Sequence, residues 1–193
     1  VIVSDGTNVL GSTIAGTGGA WSYTTPILGQ GPHSITAVVT DPAGNSSTPS
    51  TPITFTVDTE VPDAAGDLVL STDQSGSVVP VTGGTTNDTT PVLSGTAEPG
   101  STITVSDNGT PLGTATVGTD GNWTFTPETP LEPGDHSLTT TVTDPAGNVS
   151  DPSTPIEFSV DTTPPDAVSD LVLSNNEGQS PVEIAAGAAT NDT

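Results

Sequence analysis

The string DPAGN occurs twice, at 41–45 and at 144–148, and each copy sets an aspartate three residues ahead of the residue before an asparagine, a spacing of four. Proline stiffens such a turn and glycine allows a left-handed residue, so Asp41 with Asn45, and Asp144 with Asn148, can present side-chain oxygens from its two ends. Oxygen ligands carried on loops are the chemistry of calcium, which takes about six to eight of them in flexible geometry. Magnesium asks for a tighter octahedron, and softer metals ask for Cys or His. One such turn by itself reads as an ordinary acidic β-turn; a cation site needs several acids brought to one place.

The 193 residues include 23 Asp and Glu, no Lys or Arg and two His, for a formal net charge of -23. That balance excludes nucleic-acid binding by phosphate neutralisation. It also leaves any cluster of carboxylates without a basic side chain to pair with. Like charges held together repel and raise one another's pKa, so the compensating charge has to come from solution. Cysteine is absent, which removes disulfides and thiolate metal sites. No run approaches the roughly 18 apolar residues of a membrane span, and no membrane insertion is expected.

His33 and His136 stand at equivalent strand starts and read as polar strand-end residues. Trp21 and Trp123, in WSY and WTF, read as sandwich-core residues rather than sugar-stacking platforms. The acids lie in repeated turns, with no unique pair set apart for hydrolysis, so no catalytic residue and no enzyme activity is expected.

What must position these turns is a repeat of about 103 residues. Asp41 recurs as Asp144, Val57 and Asp58 as Val160 and Asp161, Asp63 as Asp166, and DLVLS at Asp67 as DLVLS at Asp170. Trp21 recurs as Trp123, and TNDT at Thr86 as TNDT at Thr190, with one-residue changes of spacing that fall in turns. Residues 59–161 are one complete repeat, 1–58 the C-terminal part of a preceding one and 162–193 the N-terminal part of a further one. The first and last are expected to be truncated, and the chain reads as a section of something longer. One option that this phase leaves open is that its partial ends complete each other by strand addition, within a chain or between copies.

Inside the complete repeat, alternation is the rule. Ile103 and Val105, Trp123 and Phe125, Leu138 and Val142, and Ile156, Phe158 and Val160 each fall on one face of a short run whose other positions are mostly Thr and Ser. No apolar stripe of helical period is long enough for a helix. Strands are predicted at 68–71, 91–95, 102–106, 111–117, 122–126, 136–143 and 153–160, separated by Gly and Pro clusters. Seven short strands in about 100 residues have the size and rhythm of an immunoglobulin-like β-sandwich, so the fold class is all-β, with tandem domains.

Read as an up-and-down order, the strands alternate direction, and the loops at 97–100, 118–121 and 144–148 share the end at which the chain comes in. Glu98, Asp120, Asp144 and Asn148 then face a linker carrying Asp58, Asp63 and Asp67, and this set is the predicted Ca2+ site. Asp161 and Asp166, with Asp170, repeat the pattern at the next linker, and Asp41 and Asn45 in the preceding repeat. Asp5, Asp107 and Asp88 are weaker candidates.

The ordered motifs VDTTPPD, NDTTPVLSGTAEPGSTITVSDNGTPLGTATVGTDGNWTFTP and LEPGDHSLTTTVTDPAGNVS resemble the bacterial Ig-like repeats of giant surface adhesins and biofilm-associated proteins, over the whole chain. The resemblance implies a tandem β-sandwich stalk, exported through type I secretion to the cell surface, with calcium near domain junctions and neighbouring repeats of the same polypeptide as its partners. The absence of Lys departs from many such relatives. A structural extender module is the expected function. The alternatives are a carbohydrate- or ligand-binding module, which needs an exposed aromatic platform, and a homotypic, fibre-forming adhesion module.

Overall fold

Strand β12 (Gly134–Thr143) buries every second residue, turning His136, Leu138, Thr140 and Val142 inward. It forms the middle of a five-stranded sheet with the spatial order β10 (Thr110–Thr116), β9 (Thr102–Asp107), β12, β13 (Ile156–Val160) and β7 (Thr85–Thr86). Neighbours are antiparallel except β7, which runs parallel to β13. A second sheet, ordered β11 (Asn122–Phe125), β8 (Val92–Thr96), β5 (Gly66–Thr72) and β6 (Val79–Pro80), closes over its inner face.

The structure, a computed structural model, describes residues 1–72, 79–81, 84–169, 174–175 and 182–183, with strands and turns and no helix among them. The chain forms two compact units, Val1–Asp161 and Thr162–Thr193. In the second, β14 (Ser174–Asn175) pairs antiparallel with β15 (Val182–Glu183).

Between the two sheets lie Leu93, Ile103, Val105, Val117, Trp123, Phe125, Leu138, Val142, Phe158 and Val160, all buried. Burying each such side chain is worth about 1.5–3 kcal/mol, which is how a chain this poor in aromatics holds a sandwich. Gly95 is part of that fit: a Cβ there would sit 2.8 Å from the Gly66 carbonyl and 3.0 Å from the Trp123 ring.

All seven predicted strands are present, joined by the short β6 and β7. Their order is not up-and-down. The chain changes sheets between β8 and β9, between β10 and β11, and between β11 and β12, because a strand with one apolar face needs the opposite sheet against it. The three acidic loops nevertheless meet at one end. Ala97 N–H donates to the Gly121 carbonyl at 3.0 Å, and Gly100 N–H to the Val117 carbonyl at 3.2 Å.

Residues 1–57 reproduce only the first sheet. β1 (Ile2–Asp5), β2 (Asn8–Ser12), β3 (Gly31–Val38) and β4 (Ile53–Val57) are ordered β2-β1-β3-β4, the counterpart of β10-β9-β12-β13. Asp5 stands opposite Ile35 as Asp107 stands opposite Leu138, so the register is the same. Among the described residues no second sheet covers it, and equivalent residues differ accordingly. Phe55 is 42% exposed against 5% for Phe158, and Trp21 45% against 3% for Trp123. Trp21 is therefore not the core residue expected. Residues 20–23, aligned with β11, form no strand, because β11 is held by β8 and this segment has no counterpart of β8.

Candidate functional site

The DPAGN turn is built around its own aspartate. Asp144 Oδ1 accepts from the backbone N–H groups of Ala146, Gly147 and Asn148 at 2.8, 2.7 and 2.8 Å, and Oδ2 accepts from Asn148 Nδ2 at 2.8 Å. Gly147, at φ 98°, supplies the left-handed residue that closes the turn. The Asn148 side-chain bond lowers the Asp144 pKa; burial opposes, and the backbone N–H groups add to the lowering. Asp41 does the same with Ala43 N–H, Asn45 N–H and Asn45 Nδ2, and its pKa is lowered by the Asn45 side chain first. Asp120 holds a shorter version against Asn122 N–H and Nδ2, again with a lowered pKa. Repeated acids in these turns thus have a structural use of their own.

Asn148 also reaches outside its turn. Its Nδ2 donates to the backbone carbonyl of Asp58 at 3.2 Å, so the edge it shows to Asp144 and the linker is its NH2 group rather than its oxygen. From the other side, Gln30 Nε2 donates to Asp58 Oδ1 at 2.8 Å, and Gln30 Oε1 accepts from Thr59 N–H at 2.7 Å. The linker is thereby gripped by one side chain from the preceding sheet and one from the following sandwich. Sequence reasoning missed Gln30, whose counterpart in the repeat is Pro133, so periodicity carries no signal for it.

Beside that grip, Asp58, Glu60, Val61, Pro62, Asp63, Glu98 and Asp144 line one open depression of about 260 Å³. Four of the predicted acids are therefore together, and Glu60, which sequence reasoning also missed, joins them; its counterpart is Thr163. The other candidates lie apart. Asp67, at φ 50°, accepts from Thr96 Oγ1 at 3.1 Å, and Asp120 stays within its own turn. Asp41 and Asn45 form the separate turn of the first sheet, Asp161 follows β13 with its N–H on the Thr86 carbonyl, and Asp166 is exposed in the second unit. Asp170 lies outside the described residues.

Two of the weaker candidates are already committed elsewhere. Asp107 accepts from Ser137 N–H at 3.0 Å and contacts His136 Nδ1 at 2.7 Å, and Asp5 treats Ser34 and His33 in the same way. Their oxygens serve histidine and backbone N–H groups. Asp88 forms an Asx turn with Thr90 N–H at 2.9 Å.

The polar side chains lining the depression are all carboxylates, a donor type that fits a hard divalent cation. Among the described residues, no three His, Asp or Glu side chains stand close enough in this arrangement to hold a metal ion. The Asp144 oxygens are already occupied by N–H groups, which leaves Asp58, Glu60, Asp63 and Glu98 as the carboxylates that would have to close in.

A family model described as the bacterial Ig-like domain matches residues 1–59 and again 64–162. The chain belongs to the bacterial Ig-like domain family. The two matches part at the linker that carries Glu60 and Asp63. No curated protein matches the chain.

Among solved structures, this pair of bacterial Ig-like domains is similar to the fibronectin(III)-like modules of Clostridium thermocellum CbhA, at 14% identity and TM-score 0.48 over 82% of this chain and 76% of that one. It is similar to a biofilm associated protein BSP domain at 27% identity and TM-score 0.37, over 84% of this chain. A tetra-tandem repeat from the extending region of a large adhesion protein matches at 22% identity and TM-score 0.42, over 83%. The chain spans 25% and 41% of the lengths of those last two.

Proposed function

We propose that the chain is an extender segment of a bacterial cell-surface adhesin, in which calcium bridges successive bacterial Ig-like domains and stiffens the array. The observation that carries this reading is the double grip on the linker, Gln30 from one side and Asn148 from the other, next to four carboxylates that carry no basic partner. A short linker held at both ends transmits orientation from one domain to the next, which is what a stalk requires. Pro62 restricts the backbone within the same segment.

Asp58, Glu60, Asp63 and Glu98 would hold the cation, with backbone carbonyls completing the shell. A bound Ca2+ supplies positive charge that lets these side chains approach one another and the linker without repulsion. Binding to the native state alone also stabilises it by mass action. The role is mechanical rather than catalytic, since the acids sit in turns that serve as structural caps. Secretion to the cell surface, by a type I route, goes with this reading.

A second reading is homotypic association. Ile53 and Phe55 on β4 are exposed, and so is Trp21 outside the strands, apolar groups that a strand pair from another copy would cover. Carbohydrate binding at the same aromatics is the third class.

Small-angle scattering of the chain in EDTA and in millimolar calcium tests the extender reading. Calcium is expected to lengthen the maximum dimension and narrow the distance distribution. An unchanged profile removes the stiffening; a concentration-dependent doubling of mass points to association instead.

A further inference from the structure

We infer that the two repeats that carry a histidine are each pinned at the outgoing end by an imidazolium held between a carboxylate and a backbone carbonyl, so that these domains carry a proton-dependent lock made from the only cationic side chains in the sequence. The geometry is explicit at His136. Its Nδ1 lies 2.7 Å from Asp107 Oδ2, and its Nε2 lies 2.8 Å from the backbone carbonyl oxygen of Glu132. A carbonyl oxygen can only accept, so Nε2 carries hydrogen. An ionised carboxylate can only accept as well, so Nδ1 carries the second hydrogen. Of the two groups sharing that proton the imidazole is the stronger base, and the ring is held as the cation.

Asp107 approaches from the end of β9, Asp135 is the preceding residue on β12, Glu132 lends its carbonyl from the loop before it, and Glu157 on β13 accepts from the neighbouring Ser137 hydroxyl at 2.7 Å. Phe158 stacks on the ring with centroids 5.2 Å apart and planes at 25°. Burial opposes the charge, with His136 only 8% exposed, but the Asp107 bond, the Glu132 carbonyl and the Asp107 and Asp135 charges outweigh it, and the pKa is raised above 6.5.

The same device recurs at His33. Nδ1 lies 2.6 Å from Asp5 Oδ2, Nε2 lies 2.7 Å from the Gly29 carbonyl, Ser34 N–H donates to Asp5 Oδ1 at 2.8 Å, and Phe55 packs against the ring. The Asp5 bond, then the Gly29 carbonyl, raise this pKa too. Pro32 replaces Asp135, so the second copy has one fewer acid beside it. That the arrangement persists in a sheet with no second layer among the described residues shows that it is local and does not depend on the core.

Each lock ties three elements: the end of β9 or β1, the loop before β12 or β3, and the first residues of that strand. Deprotonation leaves the Nδ1 lone pair facing a carboxylate at hydrogen-bond distance, and one of the two ties is lost. A raised folded pKa places the stabilisation fully on below about pH 6.5 and removes it as pH rises through the folded value.

The test is a histidine titration by NMR together with urea unfolding of the chain and of the H33Q/H136Q double variant at pH 6 and pH 9. Expected are imidazolium 15N shifts for both rings at pH 6.5, and an unfolding constant that rises between pH 6 and 9 by about tenfold for every pH unit separating folded and unfolded pKa values. The double variant is expected to lose that rise. The Val1 amino group, which donates to the Thr13 carbonyl, is common to both chains, so the difference isolates the histidines. Rings that titrate at or below 6.5, or equal pH slopes for the two chains, would overturn the proposal. Should the variant fail to fold, the titration of the unaltered chain decides alone.

Discussion

Asn148 and Asp58, 90 residues apart in sequence, are joined by a hydrogen bond of 3.2 Å from the Asn148 amide to the Asp58 carbonyl. Because the same amide is fixed at 2.8 Å by the Asp144 carboxylate, the turn and the linker are set by one another. Removing the carboxylate therefore reaches beyond its own loop.

Acidification tests this. The Asp144 pKa lies below its ordinary 3.8 in the folded state, so the stabilisation is present above that value and is lost as pH falls through the lowered one. Thermal unfolding of D144N between pH 5 and pH 2 is expected to start from a lower midpoint than the unaltered chain and to fall less steeply on acidification. Parallel curves would mean that the carboxylate does not hold the turn.

The covered and uncovered sheets supply a comparison at equivalent positions. Phe158→Ala opens a cavity in the sandwich and is expected to cost about 3–5 kcal/mol. Phe55→Ala, at a site already in contact with water, is expected to cost less than about 1 kcal/mol. Urea unfolding of the two variants measures both; equal costs would mean that the first sheet is covered in solution.

Fluorescence reads the same contrast without touching stability. Acrylamide is expected to quench Trp21 in the W123F variant several-fold more strongly than Trp123 in the W21F variant. Similar quenching would place Trp21 under a second layer.

Much of this was legible in the sequence, because strand alternation needs only a residue's neighbours. Ile103, Val105, Leu138, Val142 and Phe158 fall on the inner face as their spacing requires. That Glu98 and Asp144 reach the linker acids also followed from alternating strand direction. Trp21 misleads because its burial depends on a strand elsewhere: without a partner like β8, residues 20–23 have nothing to pair with. Asp67 and Asp120 do not join the cluster because local bonds, to Thr96 and to Asn122, claim them first. Gln30 and Glu60 were invisible to an argument built on periodicity, since neither is repeated.

Gln30 gives the linker its second hold. In Q30A the amides of Thr59 and Glu60 are expected to exchange with solvent faster, while the amides of β12 keep their protection. No change at Thr59 would show that the grip is not formed in solution.

The thermal midpoint of the chain in excess EDTA, in millimolar calcium and in magnesium at equal ionic strength tests the bridged junction most directly. Calcium is expected to raise the midpoint well beyond magnesium, and the D63N/E98Q variant to lose the difference, since those two carboxylates face the depression from the linker and from the sandwich. Equal small rises with both ions, or a calcium effect unchanged in that variant, would contradict a calcium bridge between the domains.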